Sequence, residues 1–167
     1  MSIHAHLLEM KKLLGNVDHW LTKAVAHAEA KKFDVNTLLQ MRLAPDMFPL
    51  VRQIQSTCDQ VKYGAARCAG KEPPSHPDTE TTVDELRKRI ATVTAYVDTF
   101  SASDFAAADE RKISLPRWEG KWMTGRDYFI EHCQPNFFFH LAMAYALLRH
   151  NGVEIGKRDY LGAMTLR

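Results

Sequence analysis

Apolar residues spaced by alternating steps of four and three run through four separate stretches of this chain, and that spacing constrains the fold more tightly than any composition figure. Ile3, Leu7, Met10, Leu14, Val17, Leu21, Ala24 and Ala28 form the first series. Such steps keep an apolar seam on one side of a helix, which predicts a helix from about residue 3 to residue 30. Met47, Val51, Ile54, Cys58, Val61, Ala65 and Cys68 repeat the pattern up to Gly70, after Pro45 and Pro49, residues that suit a first helical turn. Between the two, Asp34 is placed to cap a short helical piece reaching Met41. Thr82 and Glu85 spell a capping box ahead of the third series, Val83, Leu86, Ile90, Val93, Val97 and Phe100. Thr124 and Asp127 spell another ahead of a last helix from about 125 to 150, which Asn151-Gly152 stops. Pro135 lies inside that helix and predicts a kink or broken turn near residues 131–135.

Four helices sharing a period near 3.5 are what a left-handed antiparallel bundle needs. The expected fold is therefore all-α, a four-helix bundle, with residues 1–167 as a single domain. A chain of 167 residues buries roughly 70% of its unfolded surface, enough for one core. Residues 71–81 are polar, contain Pro73, Pro74 and Pro77, and read as a loop. Residues 111–124 alternate in character around Glu119-Gly120 and read as a short two-stranded β-hairpin before the last helix.

The formal charge of +2 is spread thinly: residues 70–112 carry six basic and nine acidic side chains. No basic stripe of the kind that binds nucleic acid results. Cys58, Cys68 and Cys133 are odd in number and fall in helical stretches, so they read as reduced core thiols in a cytoplasmic protein. Glu9, Lys11 and Lys12 interrupt the amino-terminal pattern, which lacks the continuous apolar core of a signal peptide. No stretch is long and apolar enough to span a membrane.

The residues with chemical potential sit mainly on the last helix. At 100° per residue, Phe129, Cys133, Asn136, His140, Met143 and Leu147 share one narrow arc, with His132 at its edge. Asn136 and His140 are one turn apart, a spacing at which helical His pairs supply two ligands to a metal, although Asn is a poor ligand for zinc, nickel or iron. The competing readings are a hydrogen-bonded pair that fixes register or satisfies the kinked backbone after Pro135, and a small polar ligand pocket. Gln53 and Thr57 flank the seam of the second helix and are placed to face this stripe. Asp46, between two prolines, reads first as the cap of the second helix and second as a group pointing inward near the bundle end. His150 suits the helix C-terminus, and His4, His6, His19, His27 and His76 read as solvated. Trp118 and Trp122 on the hairpin form an exposed patch unless covered, which suggests a dimer contact. No phosphate loop, paired-Cys zinc site or nucleophile elbow is present.

Three segments carry a family resemblance: AHAEAKK at 26–32, RLAPDMFPL at 42–50, and NFFFH at 136–140 continuing into LRHNGVEIGKRDYLG at 148–162. Over essentially its whole length the chain resembles the DinB-like, YfiT-like superfamily, and most closely its bacterial group known as the domain of unknown function numbered nineteen ninety-three. The resemblance implies an up-down-down-up bundle, frequent homodimers and, in many members, a divalent metal on three histidines. One of these comes from the second helix and two from a His-x-x-x-His pair on the last. Laid on this sequence, the pair falls on Asn136 and His140, so half of it is missing, and residues 46–69 contain no histidine. Relatives include metal-dependent thiol transferases and hydrolases, chemistry that needs an open metal position and does not follow from fold alone.

The expectation is a cytoplasmic homodimer whose metal site has degenerated into a polar pocket around Asn136 and His140, with Asp46, Gln53 and His132 nearby. It serves small-molecule binding or structure, with no cofactor and no nucleic-acid or membrane partner. The alternative is a hydrolase or thiol transferase with a rebuilt site, in which His140 holds a divalent metal together with Asp46 or His132. A third class, a pure interaction module, would use the hairpin tryptophans.

Overall fold

Helix α1, Ile3–Lys31, begins where the Ser2 side chain accepts the Ala5 N–H, and ends where Lys32 turns left-handed at φ 59°. These contacts come from a computed structural model that describes residues 2–167. The predicted seam is the buried face: Leu7, Met10, Leu14, Val17, Leu21, Ala24 and Ala28 are inside, joined by Leu13 and Trp20. Asp34 caps a single 3-10 stretch, Val35–Gln40. Helix α2, Leu50–Cys68, starts three residues later than its apolar pattern suggests. The residue before a proline is pushed toward extended backbone, so Pro49 becomes the N-cap and Met47 stays in the preceding turn. Helix α3, Val83–Val97, opens on the capping box, with both reciprocal hydrogen bonds formed between Thr82 and Glu85.

The hairpin is smaller than its sequence suggests. Strands β1, Lys112–Ile113, and β2, Met123–Thr124, pair antiparallel through Lys112 with Thr124 and Ile113 with Met123. Pro116 cannot donate to a ladder, and a 3-10 turn at Pro116–Trp118 takes over, followed by left-handed Glu119 and Gly120.

The last helical run has three parts. Helix α4, Gly125–Asp127, passes into a π-helical segment, Tyr128–Cys133, and then into helix α5, Gln134–His150. The predicted disturbance near Pro135 is thus a π-turn just upstream, in which the Gln134 N–H reaches back five residues to the Phe129 carbonyl. Pro135 has no N–H to give the preceding turn, and one residue on, the Asn136 side chain donates to the carbonyl of its own i−4 residue, His132, at 2.6 Å.

Helix α2 packs against α5, α3 and α1, and α1 packs also against α3. The buried apolar residues form one cluster drawn from all four of these helices, the π-segment and the hairpin. Gly64 permits the closest approach of α2: a β-carbon there would lie 2.6 Å from the Cys133 sulfur, which donates to the Gln60 carbonyl at 3.0 Å. A tail not read from the sequence follows α5. Helix α6, Lys157–Leu161, is tied to α1 by Trp20, whose indole N–H donates to the Asp159 carbonyl at 3.0 Å, and by Lys23, 2.6 Å from the Asp159 carboxylate.

Candidate functional site

Helix α2 is buried almost all round, and its polar residues divide between two seams. Toward α5, Gln53 is fully covered and its amide N–H donates to the Phe48 carbonyl at 3.2 Å. That bond turns the amide oxygen toward His140, which lies 2.8 Å away through Nδ1. An amide oxygen only accepts, so the imidazole donates from Nδ1 and keeps its lone pair on Nε2. Burial, then the charge of Arg52, lower the His140 pKa from its ordinary value, which holds the ring neutral. Phe48 stacks parallel to the ring at 6.3 Å and Phe139 meets it edge-on at 5.2 Å. Thr57, expected to face the stripe, returns its hydroxyl to the Gln53 carbonyl one turn back.

The other sequence candidates do not converge on this point. Asn136 bonds its own helix, not His140. Asp46 is exposed and does not cap α2, whose N-terminus has no side-chain cap; the extended Pro49 occupies that place. His132, carried round by the π-turn, stacks on Tyr128 at 5.2 Å, meets Trp118 edge-on and accepts a hydrogen bond from Arg117. Trp118 is therefore folded onto the helices, while Trp122 stays half exposed beneath the Lys112 ammonium. His150 is exposed at the end of α5, where Asn151 is the cap. The three thiols are buried and free, and burial pushes Cys58 and Cys68 up to about 12, so none is a nucleophile.

Toward α3 lies a cluster the sequence reading missed. Asp59 accepts from Lys62 at 2.9 Å and from Arg89 at 2.7 Å, and both cations are almost completely buried. Arg89 also reaches Asp78 at 3.1 Å and Glu80 at 3.0 Å, Gln55 donates to Glu80 at 2.8 Å, and Arg52 pairs with Asp78. Three carboxylates thus face three cations. Burial by itself would raise the Asp78 pKa, but the hydrogen bonds and charges of Arg52 and Arg89 hold it below the usual carboxylate range. His76, expected to be solvated, accepts from Lys62 at 2.9 Å and is kept neutral by burial and by Arg89 and Lys62. The network clamps the proline-rich loop onto α2 and α3. The available signal was Asp59 and Lys62 at i and i+3 beside an arginine in the middle of the third apolar series.

Residues 4–161 match the family described as a domain of unknown function, DUF1993. The chain belongs to the DUF1993 family. Among solved structures it is similar to a DinB family member protein from Shewanella denitrificans, seen in a crystal structure, with 50% identity and a TM-score of 0.93 over 96% of this chain and 92% of that one. No curated protein matches it. For this DUF1993 chain the donors at the α2–α5 seam do not fit the three-histidine metal site that the superfamily resemblance implies. His140 offers one free nitrogen, Gln53 has its oxygen engaged, and Asn136 is turned to its own backbone. Among the described residues no group of three His, Cys, Asp or Glu side chains converges in a way that could hold a metal ion, and no helix is long and apolar enough to cross a membrane.

Proposed function

We propose that this DUF1993 protein is a DinB-like four-helix bundle of the up-down-down-up kind, a single cytoplasmic domain that works as a homodimer. In this reading its superfamily metal position has become a neutral polar pocket that binds a small molecule or stiffens the helix seam. The observation that carries the reading is the Gln53–His140 hydrogen bond at 2.8 Å, which joins α2 to α5 where the superfamily pattern calls for metal ligands. A neutral imidazole whose N–H is held by an amide presents a bound group with an acceptor nitrogen and supplies no Lewis acid. Phe139 and Phe48, about half exposed on either side of His140, support a covered face of the kind a second copy provides.

The alternative, a hydrolase or thiol transferase with a rebuilt site, needs Asp46 or His132 beside His140. The exposure of Asp46 and the engagement of His132 with Arg117 and Trp118 count against it. Restoring histidines tests the reading. The double variant Gln53→His, Asn136→His is expected to bind zinc or nickel in calorimetric titration at one ion per chain, while the wild type gives no heat. Equal binding by both would overturn the degenerate-site reading.

A further inference from the structure

About two turns of α2 beyond the Gln53 seam, the molecule holds a cavity of about 330 Å³ lined by Gln60, Tyr63, Arg67, Leu115, Arg117 and His132. Its volume is near the lower end for small-molecule sites. Two arginines enter it and no acidic side chain does. Among the described residues neither guanidinium takes part in an ion pair. Arg67 is positioned by neutral partners: it donates to the Tyr128 hydroxyl at 2.9 Å and lies 4.3 Å over the Tyr63 ring. Arg117 donates to His132 Nε2. Because a guanidinium only donates, that nitrogen accepts and the neutral ring carries its proton on Nδ1.

Two further groups are left over. His132 Nδ1 and Gln60 Oε1 are buried atoms without a hydrogen-bond partner, and both belong to side chains that line this cavity. An orphaned buried polar group is costly, and of the two the His132 N–H is a donor suited to an anionic oxygen, whereas the Gln60 oxygen only accepts and is not served by an anion. The surroundings thus supply uncompensated positive charge in planar fork geometry, an N–H donor, an aromatic face on Tyr63 and an apolar wall at Leu115.

We propose that this cavity binds a small organic oxyanion, its acid group held between Arg67 and Arg117 and its body against Tyr63 and Leu115. Guanidinium forks match carboxylate and phosphate oxygens alike, so the shared chemistry is an oxyanion on a compact, partly apolar body. The π-turn has a role here, since it swings His132 toward the hairpin and away from the His140 stripe. The proposal goes beyond the reading given above, since it uses residues separate from Gln53, Asn136 and His140.

The test is calorimetric titration of the wild-type chain with benzoate, phenyl phosphate and neutral benzamide, with ¹⁵N-histidine NMR following His132. Benzoate or phenyl phosphate is expected to bind and to move the His132 signal, with benzamide at least about tenfold weaker. Whichever anion is tighter identifies the carboxylate or the phosphate source. Arg117→Gln, at an exposed side chain that leaves the fold intact, should weaken the anion about tenfold or more, and Arg117→Lys should recover only part of it. No response to either anion at millimolar concentration, equal binding of benzamide, or unchanged affinity in Arg117→Gln would overturn the proposal. Metal uptake by the wild type would overturn the degenerate-site reading and leave this result standing.

Discussion

Helix α2 faces two neighbours with opposite chemistry. Toward α5 it presents neutral groups: an amide bonded to the α5 imidazole of His140, and a hydroxyl returned to its own backbone. Toward α3 and the proline-rich loop it presents Asp59 and Lys62, within a network of three carboxylates and three cations that also holds Arg89. The contrast separates two uses of buried polarity. The charge network fixes geometry and engages both terminal nitrogens of Arg89, leaving its buried Nε unpaired, whereas the neutral seam keeps a free imidazole nitrogen and lies along the same helix as a cavity with unpaired arginines. In the proposed reading, stiffness belongs to one side of the helix and binding capacity to the other.

The largest test of that division is Arg89→Leu. It leaves three carboxylates facing two cations, with Asp59 still on Lys62, Asp78 still on Arg52 and Glu80 without a cation, and urea denaturation should show a loss of about 3 kcal/mol; a loss near zero would mean that the network is ornamental. Gly64→Ala comes next. Its new β-carbon meets the Cys133 sulfur at 2.6 Å, and overpacking of that kind costs about 1 to 3 kcal/mol, read as a lowered denaturant midpoint. His140→Ala should cost about 1 kcal/mol, at the low end for an unpaired buried acceptor because His140 is only half-buried. Equal costs for Arg89→Leu and His140→Ala would erase the contrast.

The smallest effect is pH dependence. His76, His132 and His140 all have pKa values below the ordinary 6.5 in the fold, each chiefly through burial. Between those values and 6.5 the unfolded chain binds more protons than the native one, so stability rises with pH through that window and is lost as pH falls below 6.5. Thermal midpoints measured from pH 7.5 down to pH 5 should decline, and the decline should be shallower in His140→Gln. A midpoint that rises on acidification would contradict the neutral assignments.

Much of the helical layout was legible in the sequence, because an apolar step of four and three reports directly on which face is buried. Leu7 to Ala28 on α1 and Val83 to Val97 on α3 are inside as their spacing requires, and the Thr82–Glu85 box forms as written. Pro135 announced a disturbance, but its form as a π-turn depends on what the freed carbonyls find, which spacing does not encode. The charge cluster was hidden for a related reason. Arg89 and Lys62 look solvated in a one-dimensional pattern, and only the fold of the 71–82 loop brings Asp78, Glu80 and His76 over them. Asp46 failed as a helix cap because Pro49 set the start of α2 three residues later. Gln53 and His140 were legible as residues facing one another, while Asn136 turned to its own helix.

The proposed replacement of a metal position by a hydrogen-bonded pair is tested most directly by metal analysis of the purified protein. Untagged chain prepared without chelator, then soaked with zinc, nickel and manganese and desalted, should carry far less than one equivalent of any of them by mass spectrometry. Near-stoichiometric metal, lost in His140→Ala while the fold survives, would contradict the reading and assign His140 Nε2 as a ligand.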